Sequence, residues 1–324
     1  MNDRKKESMN SLYLAVGYKC NHNCRFCPCG RDGRKALTYG NEDVLSVIDS
    51  VFSQRNIDHV TLSGGEPTIQ PCFYTVLKRL SETSARIEIL SNADSLADKS
   101  VIEKMVSFFP AERLSVVTAF HSHIPELHEM MNGSKGSFSR SMSGLHNLES
   151  YGISYSVKHI FNKYSYKYLP EFTKWFFDEF SRACYLIFTG MDLCGVDNEK
   201  CGEVAVSCKE ITPFLESALS QPCVKDNCSS PKILITDFPL CSTDPVYWKM
   251  YRLRKGDDSG SYIGMTNDGR PCSKLDNISD CAPFFDSCKK CDMRNVCPGL
   301  WSTTCRYFGD NDVSAVKLYV GVTK

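Results

Sequence analysis

The sequence predicts an α/β protein: strand–helix units up to about residue 195, then a small cysteine-rich C-terminal extension. Three observations carry the prediction. Short apolar runs rich in β-branched residues alternate six times with longer segments that are apolar at helical spacing. Beyond that point the alternation fades and cysteines become dense. The first strand-like run also leads straight into Cys20-Asn21-His22-Asn23-Cys24-Arg25-Phe26-Cys27. This puts a ligand-rich loop at the C-terminal end of a strand, where α/β barrels carry their chemistry.

The first strand is the apolar run 12–16. Residues 42–54 read as a helix from Val44, Leu45, Ile48, Val51 and Phe52, with Asn41 as N-cap. A strand at 59–62 runs into Gly64-Gly65-Glu66-Pro67. Helices are expected at 72–80, 99–108, 138–151 and 168–180, and strands at 86–90, 114–119, 154–161 and 185–188. Six such units argue for a mostly parallel sheet covered by helices. A closed barrel normally uses eight, so the count leaves closure open. The expected division is 1–195 for this unit, 196–235 as a cysteine-rich connection and 236–324 as a second unit. Within the last, 257–260 reads as a turn, 262–265 as a short strand, Asn267-Asp268-Gly269 as a hairpin tip and 319–322 as a final strand.

The chain has 324 residues, 42% of them apolar, enough for a sizeable core. Lys+Arg and Asp+Glu both number 38, so the formal charge is zero. Nothing here provides the basic stripe of a nucleic-acid partner or of an anionic-membrane partner. Arg4-Lys5-Lys6 reads as a solvated tail. No apolar stretch approaches the ~20 residues that span a bilayer, and the N-terminus lacks the apolar core of a secretory signal. Eighteen cysteines without an export signal point to metal or redox chemistry rather than disulfides. A reducing cytoplasm is the expected setting.

Iron–sulfur clusters are usually held by four thiolates. The three of Cys20, Cys24 and Cys27 would leave one iron open to a non-protein ligand. Zinc could also use this loop, with His22 inside it. Gly-Gly-Glu-Pro could be a plain turn, but two glycines also allow close backbone approach. Found in this order on successive strand ends, the two motifs resemble the radical S-adenosylmethionine (SAM) superfamily. The resemblance implies an open, partial (βα)6 TIM-like barrel with a small Cys-rich C-terminal extension. It implies a [4Fe-4S] cluster on Cys20, Cys24 and Cys27, with SAM chelating the fourth iron. Gly64, Gly65, Glu66 and Pro67 would meet the methionine amino group, and Phe26 is the aromatic expected before the third Cys. Further SAM contacts are implied at Ser91 and Asn92, at Thr118, His121 and Ser122, and along the backbone of 157–162. The plainer reading of His121 and His123 is a loop with surface histidines. His128-Glu129 resembles a His-Asp pair of related enzymes, or is a helix-surface pair.

A second group, Cys288-Lys289-Lys290-Cys291 and Cys297, has the spacing C-x2-C-x5-C, flanked by Cys241, Cys272, Cys281 and Cys305. It resembles the SPASM or twitch extension that holds auxiliary iron–sulfur clusters, with Met265 to Cys272 as the hairpin delivering an early ligand. Trp301 stands where a full SPASM pattern has a further Cys, so one auxiliary [4Fe-4S] cluster is expected, not two. Its ligands would be Cys288, Cys291 and Cys297 with either Cys272 or Cys241; structural zinc is the alternative. Cys29, Cys72, Cys184 and the group from Cys194 to Cys228 read as small hydrophobes.

The resemblance implies reductive cleavage of SAM to a 5′-deoxyadenosyl radical that abstracts hydrogen from substrate. The leading expectation is a maturase that crosslinks or oxidises a ribosomally made peptide or protein. It would work with a flavodoxin- or ferredoxin-type electron donor and, since no leader-binding domain precedes the first strand, a separate leader-binding protein. A small-molecule substrate such as a nucleotide, sugar or antibiotic precursor is the alternative. The Gly321-Val322-Thr323-Lys324 ending, in place of Gly-Gly, argues against cyclases of molybdopterin synthesis. A non-enzymatic metal scaffold or redox sensor is the remote alternative. No motif marks the catalytic residues that face substrate.

Overall fold

The computed structural model describes residues 11–29, 38–54, 56–225, 232–254, 264–265, 271–272, 281–282 and 285–318. Six strands fall where alternation places them: β1 (Ser11–Ala15), β2 (His59–Ser63), β3 (Arg86–Ser91), β4 (Leu114–Ala119), β5 (Ser154–Ile160) and β6 (Tyr185–Thr189). A seventh, β7 (Lys232–Thr236), continues the same sheet. The order is β1 to β7 with every neighbour parallel. Among the described residues β1 and β7 do not pair with each other, so the fold is an open, barrel-like α/β sheet.

Helices α1 (Asn41–Gln54), α2 (Phe73–Ser81), α3 (Lys99–Val106), α4 (Pro125–Asn132), α5 (Ser137–Ser150) and α6 (Leu169–Glu179) fill the crossovers. After β6 come α7 (Cys201–Val204), α8 (Cys208–Leu219) and α9 (Pro222–Lys225). The alternation therefore runs one unit beyond the six expected, through the stretch read as a connection. Its helix was hidden by Pro213, which sits inside α8 and reads in sequence as a breaker. A capping box of Ser207 and Glu210 starts α8. Pro125 in the first turn of α4 and Gly133 just past its end, at φ 59°, show the usual start and stop signals.

Side-chain parity explains how the sheet makes a cavity. Leu12, Val60, Ile87, Val116, Val157, Leu186 and Ile235 are buried on the face that packs against the helices. The alternate positions Tyr13, Thr61, Glu88, Val117, Lys158, Ile187 and Leu234 are half-buried. Buried parallel strands normally read apolar on both faces; here the concave face carries polar and charged residues because it lines open space.

In the extension, β8 (Gly264–Met265) and β9 (Pro271–Cys272) pair antiparallel, Gly264 opposite Cys272, as the hairpin reading expects. β10 (Cys281–Ala282) pairs with β11 (Leu300–Trp301), and α10 (Ser302–Phe308) follows. The expected turn at 257–260, the hairpin tip, the strand at 319–322, Cys228 and the side chain of Cys272 lie outside the described residues. Among the described residues no helix is long and apolar enough to cross a membrane.

Candidate active site and second cysteine centre

The two N-terminal motifs lie side by side. Gly65 N–H donates to Gly17 O (2.9 Å) and Glu66 N–H to Lys19 O (3.0 Å). A Cβ on Gly65 would sit 2.3 Å from Tyr18 O and 2.4 Å from Lys19 O. One on Gly64, whose φ is 132°, would sit 2.0 Å from Gly17 O. Only glycine permits this approach. Gln70 Nε2 adds bonds to Lys19 O (2.6 Å) and Glu66 O (2.9 Å). The Gly-Gly-Glu-Pro edge is thereby tied to the backbone entering the cysteine loop.

Glu66 is buried. Its Oε1 accepts from Thr68 N, Thr68 Oγ1 and Ser91 Oγ at 3.2, 2.5 and 2.8 Å, and its Oε2 from Asn92 N at 2.7 Å. Burial raises its pKa, with these bonds opposing the rise. Oε2, with a single donor, is the oxygen with room for another. Ser91 and Asn92, the expected SAM contacts at the end of β3, are thus brought to Glu66. Asn92 Nδ2 also reaches Asn21 Oδ1 (2.8 Å) and Cys20 Sγ (4.0 Å), which joins β3 to the cysteine loop.

The loop is held from below. His22 Nε2 lies 3.0 Å from Asp94 Oδ2, and Arg140 Nη2 lies 2.8 Å from the same oxygen. Burial pushes Asp94 upward, but these two partners prevail and hold its carboxyl below the usual range. His22 therefore anchors the loop, a role its sequence position does not reveal. Asn23 N–H and Arg25 N–H donate to Asn132 O (2.8 Å) and Met131 O (3.0 Å) at the end of α4. Phe26 is buried, and its ring meets His121 edge-on at 4.9 Å.

A hydrogen-bond chain leads from His121 to Cys24. His121 N–H donates to His128 Nδ1 (3.3 Å), so His128 carries its proton on Nε2, which lies 2.7 Å from Asn132 Nδ2. Asn132 Oδ1 is the end that lies 3.7 Å from Cys24 Sγ, and it accepts from the thiol. Against a thiolate the two ends of the amide exchange: Oδ1 then accepts from His128 Nε2–H and the NH2 faces sulfur. The surface readings of His121 and His128 are thus corrected: both are buried. Burial holds His121 well below its ordinary pKa and drops His128 to about 3. Thr118 is fully buried with the parity of Val116; Val117, not Thr118, lines the cavity. Ser122 is buried, its Oγ accepting from Ile124 N at 3.0 Å.

The concave face of the sheet lines a cavity of about 490 Å³ that opens to solvent. Beyond the strand residues above, its walls include Asp237, Arg252, Arg254, Pro298 and Trp301. None of these charged residues was singled out in sequence. The visible signal was alternation: Glu88 sits between Ile87 and Ile89, and Lys158 between Val157 and His159.

Cys241, Cys288, Cys291 and Cys297 line a second, small pocket with a cavity volume of about 20 Å³ and walls that include Leu240, Phe285, Met293 and Val316. Leu240 N–H points at Cys297 Sγ and Val316 N–H at Cys291 Sγ, both at 3.4 Å. Burial raises Cys288 and Cys297 and lifts Cys241 to about 11. Cys305 is buried outside the pocket, and Trp301 faces the barrel cavity. Among the described residues no three His, Cys, Asp or Glu side chains close on a single point.

Two solved structures are similar in fold over nearly the whole chain. SuiB of Streptococcus suis, bound to precursor peptide SuiA, has a TM-score of 0.64 at 10% identity, covering 95% of this chain and 75% of that one. The protein anSMEcpe with bound AdoMet has a TM-score of 0.65 at 15% identity, covering 94% and 92%. A probable GTP 3',8-cyclase of Pyrobaculum aerophilum is 24% identical over 154 residues, 47% of this chain and 48% of its own length. An Fe-coproporphyrin III synthase of Methanosarcina barkeri is 26% identical over 153 residues, 47% and 37%. The chain thus matches about half the length, or less, of these curated relatives. The Radical SAM superfamily model matches residues 14–176, the stretch holding both motifs and the strand ends that meet them, and this chain belongs to the radical SAM superfamily.

Proposed function

We propose that this protein is a radical SAM enzyme acting on a peptide or protein, with a SAM-binding [4Fe-4S] cluster on Cys20, Cys24 and Cys27. We assign one auxiliary [4Fe-4S] cluster to Cys241, Cys288, Cys291 and Cys297. The observation that carries this reading is the four-thiol pocket one residue layer from the barrel cavity: Cys297, Gly299 and Leu300 face the pocket, Pro298 and Trp301 the cavity. Cys241, not Cys272, is the fourth ligand in this assignment. When bound, the clusters and SAM supply one-electron cleavage and hydrogen abstraction from substrate.

The chain's own residues position these parts. The Gly64-Gly65 edge offers backbone without side chains in the way, and Glu66 Oε2 can take a further donor such as an ammonium. The sheet supplies a walled chamber beyond the loop. The likeness to SuiB, solved with a precursor peptide, and to anSMEcpe supports a peptide substrate. A flavodoxin- or ferredoxin-type donor in a reducing cytoplasm completes the reading.

A small-molecule substrate is the second reading, favoured by the names of the sequence relatives and by the charged cavity. Anaerobic incubation of the reconstituted enzyme with SAM, reductant and peptides encoded beside its gene decides between them. A mass loss or isomerisation of a peptide supports the first reading. No change in any peptide, with conversion of a nucleotide or tetrapyrrole, sinks it.

A further inference from the structure

Three cationic side chains line the barrel cavity, Lys158 within the 157–162 stretch whose backbone is an implied SAM contact. Lys158 enters it from β5, and Arg252 and Arg254 from the segment after β7. Tyr251 bridges Ile235 in the parallel sense, and Arg252 N–H donates to Ile235 O at 2.9 Å. This segment therefore runs beside β7 as one more rung. Lys158, Ile187 and Leu234 are register neighbours across β5, β6 and β7. At ~4.8 Å per strand, the Lys158 and Arg252 backbones stand about 15 Å apart. Two long side chains facing each other across that distance leave space between them for a small charged group.

Among the described residues none of the three cations is in an ion pair. Arg254 is fixed at the wall by Nη2 to Pro298 O (3.3 Å) and by its N–H to Val296 O (2.9 Å). Lys158 and Arg254 are half-buried and Arg252 stands at the exposed rim. The two acids of the lining are placed differently. Glu88 lies on β3, two strands from Lys158 in the sheet order, 3.5 Å from the Thr61 hydroxyl. Asp237 Oδ2 accepts from Thr189 Oγ1 at 2.8 Å. Partly buried cations without counter-charge are unfavourable unless a ligand supplies it, and guanidinium suits planar oxyanions.

We propose that the cavity grips its substrate by an anionic group, a carboxylate or a phosphate, between Lys158 and the two arginines, with Glu88 disfavouring anions on the β3 part of the wall. This deepens the functional reading above and rests on the cavity being the reaction chamber.

The test measures binding, not turnover, on the reconstituted full chain with SAM present. The probes are a blocked peptide with one aspartate and one glutamate, its asparagine–glutamine counterpart, GTP, and guanosine. One anionic probe should bind at least tenfold more tightly than its neutral counterpart. Lys158→Met, and Arg252→Met with Arg254→Met, should each weaken it about tenfold. Lys158→Arg should retain binding, and Glu88→Gln should tighten it severalfold, an effect that mere structural damage does not produce. Equal binding of charged and neutral probes, or a triple-Met variant that binds like wild type, overturns the proposal. Preference for GTP over the peptide keeps the anion site and removes the peptide reading.

Discussion

Replacing Asn132 should change the electronics of the N-terminal cluster while leaving its ligands in place. The chain His121 N–H to His128 Nδ1, His128 Nε2–H to the Asn132 amide, and Asn132 to Cys24 Sγ aims one N–H at a ligand sulfur once that sulfur is a thiolate. Hydrogen bonds to cluster sulfurs favour the more negative, reduced state and raise the potential. A bond to a charged group contributes about 1.5–3 kcal/mol. If the reduced state gains about 1 kcal/mol more than the oxidised one, a one-electron couple moves about 40 mV. Asn132→Ala should therefore lower the potential by about 40 mV. Asn132→Asp, which still accepts from His128 but faces the sulfur with oxygen, should lower it further. The backbone bonds from Asn23 and Arg25 to the end of α4 persist in both variants. The assay is an electron paramagnetic resonance titration in a Cys288→Ser, Cys291→Ser background, so that the signal belongs to the N-terminal cluster. A potential unchanged in both variants, with iron content intact, refutes the chain from His121 to sulfur.

Three further outcomes follow from the geometry. Gly65→Ala puts a methyl against Tyr18 O and Lys19 O; equilibrium dialysis should show SAM binding lost with iron content kept, and unchanged binding would refute the close-approach argument. Iron analysis should give about four fewer irons for Cys241→Ala and wild-type iron for Cys305→Ala; the reverse pattern would overturn the ligand assignment. His128 and His159 are buried, their pKa values lowered from 6.5 to about 3. The unfolded chain therefore binds more protons between those values, and stability present above pH 6.5 is lost as pH falls toward 3. From pH 7 to 5.5 the two rings should remove about 2.5 kcal/mol, read as a lower urea midpoint; a midpoint that stays level would falsify their neutral burial.

Local patterns made the first six strands legible, and with them α1, α2, α3, α5 and α6 but not α4. Each strand run is short and bounded, and each helix shows its apolar stripe. β7 and α8 were not, because Lys-Ile-Leu-Ile-Thr is a brief run and Pro213 interrupts a helical pattern that tertiary packing sustains. At the site, Cys20, Cys24, Cys27 and the Gly-Gly-Glu-Pro edge announce themselves by spacing. Asp94, Gln70 and Asn132 do not, since their roles depend on contacts with residues distant in sequence. Parity decides what a strand end presents: Thr118 is buried beside its register partner Ser91, while Val117 lines the cavity. Arg252 and Arg254 carry no motif. Only the pairing of their segment with β7 reveals which space they face.

The same parity rule gives Trp301 its meaning. By spacing alone it is a missing cysteine, a defect in a ligand pattern. In the fold, 297–301 runs between two spaces, and Pro298 and Trp301 face the barrel while Cys297, Gly299 and Leu300 face the thiols. Trp301 Nε1 donates to Gly190 O at 3.1 Å, just beyond the end of β6. There a Cβ on Gly190 would lie 2.0 Å from Asp237 O. The indole is thus bonded into the junction of β6, β7 and the extension, where a cysteine side chain would neither reach that carbonyl nor fill the wall. Losing a ligand position here means gaining a wall of the chamber. In the proposed assignment the four thiols, which need no ligand from 301, sit behind this wall.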